Sequence, residues 1–184
     1  MKTTLPIAGL DVHIHTQSDV DVESTAPAAV VFLLHGRLGN AQSAQIDGLA
    51  SSLLNYARNR VEAGENQAKE LIVVTFDHRN HGSRLVNDLA NQGWAKGKKT
   101  HNERHAIDMF AVYAGTSRDV SFLIDFLPAY LYPSGEREVV DWGVIGISLG
   151  GHSTWMILKE DPRVTLGIPI IGIMAYHERL GYDS

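Results

Sequence analysis

A serine set between two glycines, Gly146-Ile147-Ser148-Leu149-Gly150, is the arrangement in this chain best suited to covalent chemistry. It follows an apolar run from Val139 to Ile147 and precedes a stretch of helical pattern from Leu149 to about Glu160, which Asp161-Pro162 stops. A serine on a sharp strand-to-helix turn holds a strained backbone, and the turn projects its hydroxyl outward as a nucleophile. Side chains two residues to either side would collide with neighbouring elements, so Gly146 and Gly150 are what such a turn needs. The backbone N–H of Leu149 then points to where an oxyanion would form, and the helix N-terminus adds a favourable dipole. Roughly one random chain in twenty of this length contains the pattern, so its position between strand and helix carries more weight than its letters. A glycine-rich turn can also bind phosphate or be purely structural. A dinucleotide site is not indicated, because G-x-G-x-x-G is absent.

Two other motifs follow apolar runs. His35-Gly36 comes after residues 28–34, Ala-Ala-Val-Val-Phe-Leu-Leu, and the loop beyond it can supply a second oxyanion donor, the N–H of Arg37, with Leu38 next. The alternative is a glycine turn in which His35 only packs. Asp77-His78-Arg79-Asn80-His81-Gly82 follows Leu71 to Phe76, and its Asp and Arg suit a structural clamp between loops.

The elements that must position these residues can be read from periodicity. Ile7 to His15 alternates as a strand or hairpin. Residues 28–34 and 71–76 are continuous β-branched and apolar runs, as in strands covered on both faces of a parallel sheet. Between them, Ile46, Leu49, Ala50, Leu53, Leu54, Ala57 and Val61 form one helical stripe that Gly64 ends. Residues 83–115 are less regular, with polar helix around His101 to Tyr113. Thr116-Ser117-Arg118-Asp119 predicts a new helix start, and Pro128 and Pro133 mark its end. A last strand is expected over Val164 to Ile171. Strands alternating with helices in this order predict an α/β fold over residues 1–184: one domain, a mostly parallel sheet, helices on both faces.

Composition narrows the function classes. The 184 residues carry a net charge of −5, with 44% hydrophobic and 20% charged residues, an ordinary globular balance. No basic cluster is dense enough for nucleic acid; Lys96-Gly97-Lys98-Lys99 reads as a solvated loop. The absence of cysteine excludes disulfides, thiolate metal sites and thiol nucleophiles. No apolar stretch is long enough for a membrane, and Pro6, Gly9 and Asp11 interrupt any signal core, so a cytoplasmic location is expected. No cofactor and no metal are expected. His101 and His105 stand at i and i+4, but Asn102 occupies the place of the general base in H-E-x-x-H. His13 and His15 share one face of an early strand and are expected to be exposed; His152 can pack beside Ser148.

The order His35-Gly36, Asp77-x-Arg79-x-x-Gly82, Gly146-x-Ser148-x-Gly150 resembles the α/β-hydrolases, in their esterase and prolyl-oligopeptidase-like branch, from Leu5 to about Gly172. The resemblance implies a serine hydrolase. Ser148 would attack an ester or peptide-like carbonyl of a small acyl substrate, a histidine would take its proton, and a carboxylate would orient the histidine. It also implies a chain order of serine, acid, histidine, with the last two after the seventh and eighth strands. Only Gly172 to Ser184 remain after the sixth, so the expectation is an incomplete fold lacking the last strands, the triad acid and the histidine. His177, Glu178 and Asp183 read as a polar tail. An inactive fragment or partner-binding pseudoenzyme is the competing expectation. Val164 to Ile171 would then be an exposed apolar edge prone to self-association. Trp94 and Phe110 are candidates for one wall of a substrate pocket.

Overall fold

The computed structural model describes residues 1–17, 26–65 and 69–173. Its sheet has six strands: β1 (Lys2–Ile7), β2 (Leu10–His15), β3 (Ala28–Leu34), β4 (Glu70–Thr75), β5 (Val139–Ile147) and β6 (Val164–Ile170). They lie in the order β1-β2-β4-β3-β5-β6. β4, β3, β5 and β6 run parallel, whereas β1 and β2 enter as an antiparallel pair. The architecture is the expected α/β one.

The hairpin differs from its reading in sequence. Its first arm is Lys2–Ile7, and Ala8 and Gly9 turn the chain with φ of 49° and 82°. Pro6 obscured that arm, but it sits on an edge strand, where a missing N–H is tolerated.

Helix α1 (Ala44–Glu62) starts at Ser43, whose hydroxyl accepts from the Ile46 N–H, and it buries Ile46, Ala50 and Leu54 against Leu33, Val73 and Ile145. Val61, placed on the same stripe by periodicity, is 44% exposed. Helices α2 (His105–Leu131) and α3 (Leu149–Glu160) cover the other face. Val120, Leu123, Leu127 and Ile157 meet Phe32, Phe76 and Trp142 in the main core.

Two expectations for this region are corrected. No helix begins at Thr116. One helix runs unbroken from His105 to Leu131, and the Thr116 hydroxyl lies 2.9 Å from the Val112 carbonyl one turn back. Burial of this turn against the sheet and α3 overrides the local capping preference. Pro128 does not end the helix either; it occupies the last turn, and Tyr132 N–H still closes onto its carbonyl.

His13 and His15 are buried rather than exposed, at 2% and 5% of their surface. Their face of β2 continues onto β4. There His15 Nε2 meets Thr75 Oγ1 at 3.1 Å, and the Thr75 hydroxyl donates to the Ala41 carbonyl, so the chain leading into α1 lies over them. Alternation showed a shared face and not what covers it.

Among the described residues β6 is a sheet edge with apolar side chains in the open: Leu166 50%, Ile168 43% and Ile170 37% exposed. Such an edge is a template for pairing with another chain. We expect concentration-dependent association by sedimentation velocity, relieved by Ile168→Lys; a monomer at all concentrations would refute it.

Candidate active site

The parallel strands end together, and the loops leaving them carry the residues singled out by their types. β5 closes at Ile147, α3 opens at Leu149, and Ser148 joins them with φ 53° and ψ −106°. A non-glycine backbone there costs about 1–3 kcal/mol and persists only where its surroundings enforce it. They do so on both sides. A Cβ on Gly146 would lie 2.1 Å from the Gly150 carbonyl oxygen and 2.5 Å from Thr154 Oγ1; one on Gly150 would lie 2.6 Å from the Leu34 carbonyl oxygen. The Ser148 N–H is tied to the Ile170 carbonyl at 2.7 Å.

Ser148 itself is exposed, and its side chain does not cap the helix it precedes. The first bond of the α3 ladder is His152 N–H to the Ser148 carbonyl, 3.1 Å, so the N–H groups of Leu149, Gly150 and Gly151 stand ahead of it. Leu149 packs its side chain with Met109, Val112 and Tyr113.

The loop after β3 passes beside this turn. A Cβ on Gly36 would be 3.7 Å from the Ser148 Cβ and 3.6 Å from the Ile147 carbonyl, ordinary contacts, so Gly36 is not required by space. Gly39 N–H returns to the Gly36 carbonyl at 3.1 Å, and Leu38 adopts φ 63°. The Arg37 side chain is exposed and donates to the Asn91 carbonyl at 2.9 Å, tying this loop to the one after β4.

Asp77 organises both loops. Its carboxylate accepts from Ala41 N–H at 2.7 Å and from the Ser83 N–H and hydroxyl at 2.7 and 2.9 Å. Burial alone would raise its pKa, but those donors and nearby His35 outweigh it and leave the carboxyl below its usual range. Gly82, at φ 52°, is obligatory, since a Cβ would meet that carboxylate at 2.1 Å. Arg79 donates through Nε and Nη2 to Asp119 on α2 at 3.2 and 2.7 Å, and Arg84 joins the same carboxylate at 2.8 Å. Gly115 makes room for Arg79, whose Cδ would be 2.5 Å from a Cβ there. Asp77 and Arg79 are thus a clamp between loops and helix.

Three histidines fill the space between. His35, His78 and His81 are 1%, 0% and 2% exposed, with ring centroids 4.3, 5.6 and 6.0 Å apart. Burial lowers the pKa of each, His35 to about 4 and His78 well below the usual range. All three are neutral at pH 7, so the 3.7 Å approach of His35 to Asp77 is no ion pair there. Nothing in the sequence marked them as a cluster. Each follows a strand end, and only the pairing of β3 with β4 makes them neighbours.

The remaining candidates have local partners. His152 stacks on Tyr113 at 5.4 Å, and its Nδ1 donates to the Ile173 carbonyl at 2.7 Å. His101 Nδ1 accepts from Ala95 N–H, and His105 Nδ1 donates to the Gln92 carbonyl. No group of three or more His, Cys, Asp or Glu suited to a metal occurs among the described residues. Trp94 is 64% exposed and edges onto His105, while Phe110 packs against the cluster around Leu149. His177, Glu178 and Asp183 lie outside the described residues. No helix among those described is long and apolar enough to cross a membrane.

Neither a family model nor a curated protein matches the sequence. Solved structures do. A cold-adapted esterase from an Arctic intertidal metagenomic library superposes with a TM-score of 0.56 at 16% identity over 90% of this chain and 57% of that one. A protein described as a dienelactone hydrolase from Klebsiella pneumoniae gives 0.58 at 12% identity over 96% and 60%. An esterase from Pyrococcus furiosus gives 0.50 at 17% over 92% and 47%. The chain therefore spans about half to three-fifths of the length of these structures.

Proposed function

We propose that this chain, which has the α/β-hydrolase fold, is the part of a serine hydrolase that bears the nucleophile. Ser148 attacks the carbonyl carbon of an ester or peptide-like acyl substrate. The observation that carries the reading is the backbone of Ser148: a left-handed, enforced bend at the mouth of the parallel strands, with the residue exposed and no helix-capping duty for its hydroxyl. In the tetrahedral species the former carbonyl oxygen becomes an anion. The N–H of Leu149, ahead of the α3 ladder, is one donor to it, and the N–H of Arg37 in the adjoining loop is the other. The chain's own contribution is the nucleophile, its strain and this pair of donors.

A second reading, a fold without turnover, has an observation behind it. Among the described residues, His152 is the histidine nearest to Ser148 in the chain, and its Nδ1 is committed to Ile173. His35 and His78 are likewise committed to backbone groups. Without a base the reaction loses several orders of magnitude.

A fluorophosphonate probe separates the two. Covalent labelling of the folded chain, abolished by Ser148→Ala, would establish Ser148 as an activated nucleophile. A folded chain that never labels would leave the second reading in place.

A further inference from the structure

The second oxyanion donor is only as good as its direction, and the buried histidines give that direction a cause. The Gly36 carbonyl and the Arg37 N–H lie in one trans peptide plane and point in opposite directions within it. Two donors hold the carbonyl: Gly39 N–H at 3.1 Å and the His35 ring, Nδ1, at 2.8 Å. Whatever sets the proton on the His35 ring therefore helps to aim the Arg37 N–H.

The proton positions follow from the partners. His78 main-chain N–H points at His35 Nε2, 3.2 Å, so that nitrogen is bare and the single ring proton sits on Nδ1, facing the Gly36 carbonyl. The His78 ring is fixed in turn. Its Nε2 lies 2.8 Å from the His35 carbonyl, which can only accept, so Nε2 carries the proton. Its Nδ1 is then an acceptor, and the Thr116 hydroxyl on α2 stands 2.7 Å away. The same hydroxyl is also within donating distance of the Val112 carbonyl, 2.9 Å, but that carbonyl already receives a main-chain N–H of the helix, whereas Thr116 is the donor that stands at the bare His78 Nδ1, so the proton turns to His78. Burial keeps both rings neutral, so each has one proton and one arrangement. The charged and titratable groups around them are Asp77, His81, Arg84 and, beside His81, Arg37.

We propose that Thr116, His78 and His35 form a positioning relay, Thr116 O–H to His78 to His35 to the Gly36 carbonyl, that orients the Arg37 N–H toward the oxyanion. The proposal rests on the reading of Ser148 as nucleophile for its consequence, but not for its proton assignments. None of the three touches substrate.

Two measurements test it. In 15N-histidine-labelled protein at pH 7, long-range 1H–15N spectra should show His35 protonated at Nδ1 and His78 at Nε2; the opposite tautomer at His35 overturns the relay. Thr116→Val keeps the shape and removes the donor. It should mix the tautomers of His78, the ring it contacts, loosening the hold of that ring on the His35 carbonyl, and slow fluorophosphonate labelling of Ser148 about tenfold, a fraction of what deleting an oxyanion donor costs. Thr116→Ser should restore both. A merely structural threonine would lower stability yet leave the labelling rate per folded molecule and the tautomer unchanged, and that result overturns the proposal. If wild-type Ser148 never labels, the nucleophile reading fails separately, and the spectra of wild type and Thr116→Val still decide the relay.

Discussion

Gly146→Ala destabilises the protein by at least about 3 kcal/mol, among the largest effects expected of a one-methyl addition at the described residues. The new Cβ lands 2.1 Å from the Gly150 carbonyl oxygen and 2.2 Å from its carbon, well inside contact distance, and both are backbone. A flexible side chain could step aside; a helix N-terminus anchored to β3 cannot. Gly150→Ala meets the same obstacle from the other side, at 2.6 Å from the Leu34 carbonyl oxygen and 2.9 Å from that of His35. Against a total stability of about 5–15 kcal/mol such a loss is decisive. Two controls give the result meaning. Gly36→Ala, whose Cβ finds only contacts of 3.6 and 3.7 Å, should stay within about 1 kcal/mol of wild type. Ser148→Gly removes the nucleophile and also relaxes the backbone at φ 53°, so it should recover about 1 kcal/mol. Urea midpoints at constant m-value measure all four. Wild-type stability in Gly146→Ala would mean that the turn does not exist as described.

Acid should unfold the protein early. Buried histidines whose pKa is lowered bind protons in the unfolded chain before they do in the folded one. Their contribution is fully present above the unfolded value of 6.5 and drains away as pH falls toward the folded value, about 4 for His35. For His35 alone that window is worth about 3 kcal/mol, at 1.36 kcal/mol per pKa unit. His78, His81, His13 and His15 are shifted in the same direction, all chiefly by burial. Asp77, held below its usual range, adds a further loss at still lower pH. The urea midpoint should therefore fall steeply between pH 6.5 and 4, and His35→Asn, though less stable at pH 7, should show a shallower slope. A midpoint flat from pH 7 to 4.5 would mean that these rings are already charged or exposed.

Both expectations trace back to residues with very different visibility in the sequence. β3, β5 and α3 are readable to the residue, because a continuous apolar run and a helical stripe are each written over fewer than twenty neighbours. The strained turn is readable for the same reason: the glycines at 146 and 150 are local steric requirements, spelled out within five positions. So too is the clamp at Asp77 and Arg79, as a pattern without a partner.

Where a residue's surroundings come from distant chain, the letters gave no warning. Thr116 has the form of a helix start and is instead mid-helix, its hydroxyl 2.7 Å from a histidine 38 positions earlier. His13 and His15 look like the wet face of a strand until the chain around Ala41 covers them. Asp119 and Gly115 acquire their meaning only from the contact of α2 with the loop after β4, and the trio of histidines from the pairing of β3 with β4. Steric and periodic demands act between near neighbours and are therefore inscribed in order along the chain. Burial, proton placement and pairing depend on which surfaces meet, and that choice is made by the packing of the whole sheet and its helices.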